Sequence, residues 1–366
     1  MRRFAGLVLV LAVGPIGVAT CGAHGTVVAD AWYDRDPSVV LPLADAVALA
    51  VADGSDPAHF ATGSDRFDGE WALVTCQMAM LGLARVRDAH PEVGDRYAPA
   101  ARGCTRFLLS PTARAFGTDA WGEDGLAVLD ADRGHAYLGW TLLALGAALR
   151  LADDPAADET RRSLADALHR RMEALPVHRF ETYPGETYPP DLAVVAAGVA
   201  GSGHDVRGFL DRWRQAAVEP GTGLLAQALS PSSGGPSDAV RGSGTALAAM
   251  VLADADPDLA RTLAEAVRTE LRGSVLGFGG VREVPRGAPF RMDIDSGPVI
   301  FGLGVSASGF GFASARLVED RGFYRSLYRS AHLVGVETAW GGERWFATGG
   351  TLGNAILLAT LTAGGR

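Results

Sequence analysis

Residues 140–149 read WTLLALGAAL and carry no charge, while residues 160–171 read TRRSLADALHRR and are studded with it. Both have the apolar spacing of a helix, so they differ in what surrounds them. A helix apolar on every side is buried, and one with a charged face lies outside. The same contrast repeats along the chain. Leu192–Ala200, Gly244–Leu252, Val299–Ala315 and Leu352–Ala363 belong with the uncharged kind, and Leu259–Arg272 with the charged kind. Apolar periodicity predicts twelve helices, at 38–53, 70–88, 96–109, 134–152, 158–175, 191–200, 205–218, 243–253, 258–271, 298–316, 321–334 and 351–363.

The connections alternate as well. Those after the uncharged helices are short, and those before them run about 14–26 residues, long enough to suggest function. The long loops end near Glu70, His135, Asp191, Ser243, Asp295 and Thr351, at steps of 65, 56, 52, 52 and 56 residues. A repeated helical hairpin explains that spacing, because one such unit cannot bury its own apolar face. Six buried helices inside six amphipathic ones make an all-α fold, an (α/α)6 toroid of six helical hairpins. It spans residues 30–366 as one domain, with at most short strands in the long loops near Leu224–Ala228 and Val275–Val284. Glycines inside the buried helices mark close packing.

Composition narrows the function. The chain has 366 residues, 48% of them hydrophobic, enough for a sizeable core. A net charge of −9 without a basic stripe argues against nucleic acid. The first 25 residues read as an export signal, with Arg2 and Arg3 ahead of the apolar run Ala5–Val13. Val18–Cys21 resembles a bacterial lipobox with Thr20 before the cysteine, which implies either lipidation at Cys21 with N-terminal membrane attachment or a secreted chain; the alternative to export is an uncleaved anchor. Cys76 and Cys104 fall on consecutive helices, either as an export-compartment disulfide or as two buried thiols. No metal-binding spacing occurs and no cofactor is implied.

Each long loop brings chemistry to the start of a buried helix. Asp65-Arg66-Phe67-Asp68-Gly69-Glu70-Trp71 opens the first, with Asp68 suited to a cap and Glu70 to the first turn. Asp132–Tyr137 opens the second, with His135 as its candidate proton carrier and Tyr137 as a ligand contact. Glu181–Asp191 is the densest segment: Pro184, Gly185, Pro189 and Pro190 make it rigid, Glu186 and Tyr188 suit proton transfer, and Tyr183 and Asp191 suit substrate contact. Arg241–Thr245 opens the fourth, with Ser243 as cap and Arg241 as a carboxylate partner. Arg291–Pro298 opens the fifth, where Asp293 and Asp295 exceed what capping needs and Asp295 suits a general base. Asn354 in the sixth offers its amide to a hydroxyl. The catalytic candidates are thus Asp295, Glu186, Tyr188, His135, Asp68 and Glu70; the binding candidates are Trp71, Tyr137, Tyr183, Asp191, Arg241, Asp293 and Asn354. Gly302-Leu303-Gly304-Val305-Ser306-Ala307 matches a dinucleotide fingerprint but reads as close-packing glycines inside a helix.

This pattern resembles the six-hairpin toroid superfamily, which includes glycoside hydrolases, polysaccharide lyases and uronyl epimerases. Arg133–Gly139 and Glu186–Asp191 also resemble loop-to-helix segments of linalool dehydratase/isomerase-like proteins, though no cysteine lies near 180–191. The first resemblance implies a funnel site where the long loops meet the inner helices, and a glycan hydrolysed or eliminated there. The second implies a lyase or isomerase acting on a small hydroxylated hydrophobe. A non-catalytic ligand-binding or scaffold protein is the third alternative. Paired carboxylates across a cleft are what glycosidic cleavage uses.

Overall fold

A computed structural model of the chain describes residues 25–126, 133–289, 296–340 and 342–364. The N-terminal stretch read as an export signal, with Cys21, and Asp293 and Asp295 lie outside these described residues.

Fourteen helices run through the described residues. The first, α1, covers 25–33. It is followed by α2 (Pro37–Ala50), α3 (Asp65–Ala89), α4 (Ala98–Leu108), α5 (Pro111–Trp121), α6 (His135–Leu149) and α7 (Pro155–Ala174). Then come α8 (Pro189–Gly201), α9 (Arg207–Ala217), α10 (Gly242–Leu252), α11 (Pro257–Ala266), α12 (Val305–Leu317), α13 (Arg321–Val334) and α14 (Gly350–Leu361). Helices α3, α6, α8, α10, α12 and α14 touch in that order, and α14 returns to α3, which closes the ring. Five of them contain the uncharged stretches of the sequence; α3 carries charge at its two ends, Asp65–Glu70 and Arg85–Asp88, and none over Trp71–Ala84. Glycines permit the close approach: a Cβ on Gly139 of α6 would come within 2.3 Å of Val195 Cγ2 on α8. The toroid expectation holds.

The outer helices start on strong local signals. Asp36–Pro37, Asp154–Pro155 and Asp256–Pro257 each place an aspartate at the cap and a proline in the first turn. Each carboxylate accepts from a backbone N–H inside its helix, which satisfies an otherwise orphaned donor. The six inner helices have no such side-chain cap among the described residues. All six start at the same end of the ring, so their partial positive charges gather there.

Four local expectations are corrected. Helix α3 starts at Asp65, five residues before Glu70, so Asp68 is a first-turn residue and not the cap, which is Ser64. Helix α10 starts at Gly242 behind Arg241, so Ser243 is not its cap. The stretch from 298 is not helical until Val305: Val299–Ile300 and Leu303–Gly304 form a hairpin (β3, β4) instead. Phe301 and Gly302, at φ 52° and 78°, make its turn, a conformation a helix excludes. Gly302 and Gly304 are therefore hairpin residues, and the antiparallel pairing gives no parallel strand for a dinucleotide site. The hairpin joins Arg272–Val275 (β1) and Phe278–Arg282 (β2) in a sheet of order β1-β2-β4-β3. A second hairpin, Glu337–Trp340 (β5) with Glu343–Phe346 (β6), and the helices α1 and α5 were not expected.

Cys76 of α3 and Cys104 of α4 form a disulfide, Cα atoms 5.4 Å apart. It closes a loop of 28 residues, which restricts the unfolded chain by about 3.5 kcal/mol. A Cys76→Ser/Cys104→Ser chain is expected to lose roughly that stability in a denaturant titration. No helix among the described residues is long and apolar enough to cross a membrane.

Candidate active site

The end of the ring where the inner helices begin opens into a cleft of about 420 Å³. All six inner helices contribute to it, through residues such as Glu70, Trp140, Asp191, Ser243, Phe310 and Ile356. On α3, Glu70, Trp71, Val74 and Met78 share one face because they recur at helical spacing.

Two carboxylates in this cleft are held by aromatic donors. The Tyr183 hydroxyl donates to Glu70 Oε1 at 3.1 Å. The Trp140 indole N–H donates to Asp191 Oδ1 at 3.0 Å. These bonds fix the rotamers of both acids and place an apolar ring beside each. Tyr183 also packs edge-on against Tyr188, ring centroids 5.6 Å apart. The segment that delivers them is rigid for a visible reason. Tyr183 and Glu186 pair across a tight turn at Pro184–Gly185, where Gly185 has φ 74°. Glu181 accepts from the Gly185 N–H at 2.8 Å, and Thr182 accepts from the Tyr188 N–H at 3.0 Å. Glu186 is exposed on the cleft wall.

Of the predicted residues, the structure thus gathers Glu70, Trp71, Tyr183, Glu186, Tyr188 and Asp191 in one cleft. It places five others elsewhere. Asp68 accepts from Thr62 N and Oγ1 at 2.9 and 2.7 Å and ties down the loop before α3. His135 is fully buried against Phe180, ring centroids 3.8 Å apart, with Nδ1 2.5 Å from the Glu181 carbonyl. Tyr137 is buried too and donates to Leu108 O at 2.9 Å. Arg241 pairs with Asp238 at 3.0 Å. Asn354 spends its whole amide on the backbone of Phe346 and Gly350, joining β6 to α14. The cleft also holds Trp140, Gln227, Ser243 and Phe310, which the sequence reading did not place in a site.

Burial, with Arg171 adding to it, pushes the His135 pKa down to about 3. Its ring is neutral in the fold at pH 7, while in the unfolded chain it protonates near pH 6.5. The unfolded state therefore binds the extra proton between these values, and stability falls as pH drops through that window. A His135→Gln chain is expected to lose less stability than wild type between pH 7 and 4, measured by thermal denaturation.

A second cavity of about 460 Å³ lies at the opposite end of the ring, where the inner helices finish. No Phe, Tyr or Trp among the described residues lines it. Its arginines are engaged with the fold: Arg85 donates to Ala359 O at 2.8 Å, Arg150 pairs with Asp88 and Arg207 pairs with Asp205 at 2.6 Å. Cations are expected at helix C-termini, so this end is read as dipole compensation.

No protein-family model matches the chain, and no curated protein matches it. Among solved structures it is similar to an α-mannanase of glycoside hydrolase family 76 from Bacteroides thetaiotaomicron, at 9% identity and a TM-score of 0.46. That match covers 79% of this chain and 84% of the other. A family 76 glycoside hydrolase from a bovine strain of that species matches at 11% identity and a TM-score of 0.43, over 79% of this chain and 68% of the other.

Proposed function

We propose that this chain is an exported enzyme that cleaves a glycan, by hydrolysis or elimination, in the cleft at the loop end of the ring. One observation carries the reading. Glu70 and Asp191, on different inner helices, line the same cleft, each fixed by an aromatic donor, with Trp71 and Tyr188 beside them. Glycosidic cleavage uses one carboxyl group as acid and a second as base or nucleophile. Aromatic faces bind the apolar face of a sugar ring while its hydroxyls meet polar side chains. Glu186, exposed on the wall, is positioned to meet substrate as it enters. The uncapped starts of the inner helices favour negative charge in the cleft, including that of its own carboxylates. The Cys76–Cys104 disulfide supports export, since such bonds persist in oxidising compartments.

A second reading, a lyase or isomerase on a small hydroxylated hydrophobe, draws on the apolar side chains of Val74, Met78, Leu247 and Ile356 in the same cleft. Against it, Cys76 and Cys104 are bonded to each other, and the resembling dehydratases work through cysteine.

Thermal shift of the full chain separates the two. A ligand that binds the native state raises the melting temperature by mass action. A panel of α- and β-linked oligosaccharides is expected to stabilise the protein and terpenoid alcohols to leave it unmoved. Stabilisation by the alcohols alone would overturn the glycan reading.

A further inference from the structure

We infer that Ser243, held by the buried Glu283, forms with Gln227 an acceptor subsite for a ring hydroxyl beside the bond that is cleaved. This inference rests on the glycan reading and deepens it.

Ser243 lies in the first turn of α10 and lines the cleft. Its hydroxyl donates to Glu283 Oε1 at 2.5 Å. Glu283 is 1% exposed and comes from the loop after β2, 40 residues further on. The Gly242 N–H donates to the Glu283 carbonyl at 2.8 Å, which ties that loop to the start of α10. A Cβ on Gly304 would lie 2.8 Å from Glu283 Oε2, so the carboxylate sits between the starts of α10 and α12. Burying a carboxylate is costly, and two adjacent helix N-termini offset the cost. A helix start needs only a short capping side chain, so a buried acid supplied from a distant loop exceeds that need.

The arrangement fixes the direction of the hydrogen bond. With its proton committed to Glu283, Ser243 presents lone pairs to the cleft and acts as an acceptor. Gln227 lines the same cleft at 8% exposure, and its Oε1 has no hydrogen-bond partner among the described residues. Gly244, next to Ser243, lets that oxygen approach: a Cβ there would lie 2.7 Å from it. A buried acceptor without a donor costs stability that a ligand O–H recovers. Two neighbouring acceptors select a donor, and the donors of a neutral sugar are its hydroxyls.

A sugar O–H donating to Ser243 extends a chain that ends on the Glu283 carboxylate. Such chains polarise along their length, and contacts to the hydroxyl beside the reacting carbon strengthen as positive charge develops there. Ser243 and Gln227 thus contact substrate, and Glu283 is a positioning residue. Their effect belongs mainly in kcat.

The test uses the full chain, the best oligosaccharide substrate and its set of monodeoxy analogues. In wild type, one deoxy position is expected to lower kcat/KM by about 10- to 100-fold. Ser243→Ala is expected to lower kcat on the parent by a similar factor and to erase the penalty for that analogue. Glu283→Gln, which can still accept the serine proton, is expected to keep part of the discrimination. If Ser243→Ala lowers the melting temperature, Gln227→Met provides the same comparison without touching the buried acid. Undiminished discrimination in Ser243→Ala and Gln227→Met, with wild type active, overturns the subsite alone. Absence of wild-type turnover on every glycan overturns the subsite and the glycan reading together.

Discussion

Asp191→Asn and Glu70→Gln are each expected to lower turnover of a cleaved oligosaccharide by about 1,000-fold, with the fold intact. The magnitude follows from losing an acid–base or nucleophilic carboxylate. The fold survives because the amide oxygen of either variant can still accept the bond that holds the native acid. In Asp191→Asn that donor is the Trp140 indole N–H, and in Glu70→Gln it is the Tyr183 hydroxyl. The check is kcat/KM beside the melting temperature. Tyr183→Phe, which removes only the donor to Glu70, is expected to have the smaller effect. Near wild-type rates in both carboxamide variants would remove this cleft from the chemistry.

Arg316→Ala is expected to cost about 2–4 kcal/mol, the scale of losing charge-assisted hydrogen bonds to buried carbonyls and opening a cavity. Arg316 is 8% exposed on α12 and closes the seam between the first and last helices. Its guanidinium donates to Leu361 O at 3.0 Å, Tyr33 O at 3.1 Å and Trp32 O at 2.6 Å. It also lies 5.0 Å from the ring centroids of Tyr33 and Tyr324. Removing it takes a donor from three carbonyls, of which Leu361 O keeps the Tyr324 hydroxyl at 3.3 Å and Trp32 O keeps the Arg35 N–H at 3.1 Å, and opens a void between two rings. Arg316→Lys is expected to recover only part of the loss, because a point charge cannot serve three carbonyls in a plane. Denaturant unfolding measures both. A loss under about 1 kcal/mol in the alanine variant would mean the seam is held by apolar packing alone.

The ring was legible because charge and its absence alternate helix by helix. WTLLALGAAL has no face that tolerates water, five such stretches must bury one another, and α3 joins them through its uncharged middle, Trp71–Ala84. The Val299–Gly304 hairpin was hidden by the same signal. Its residues are as apolar as an inner helix, and only Gly297, Pro298 and Gly302 hint that the helix starts later. The site was half legible. Glu186, Tyr188 and Asp191 sit where a long loop meets an inner helix, Glu70 lies in the second turn of α3, and position together with residue chemistry singled them out. His135 satisfies the same rule but faces elsewhere. Five residues, about 500° of helical turn, separate it from Trp140, which does reach the cleft. Glu283 was invisible because a lone acid in a polar loop carries no pattern. Only the closed ring brings it beneath Ser243.

The most direct measurement is a crystal structure of the Glu70→Gln chain with an oligosaccharide that the wild type cleaves. The expected result is a sugar ring between residue 70 and Asp191, with an aromatic face from Trp71 or Tyr188 against it. A saccharide bound in the cavity at the far end of the ring, or on the outer surface with the cleft empty, would contradict the placement of the site.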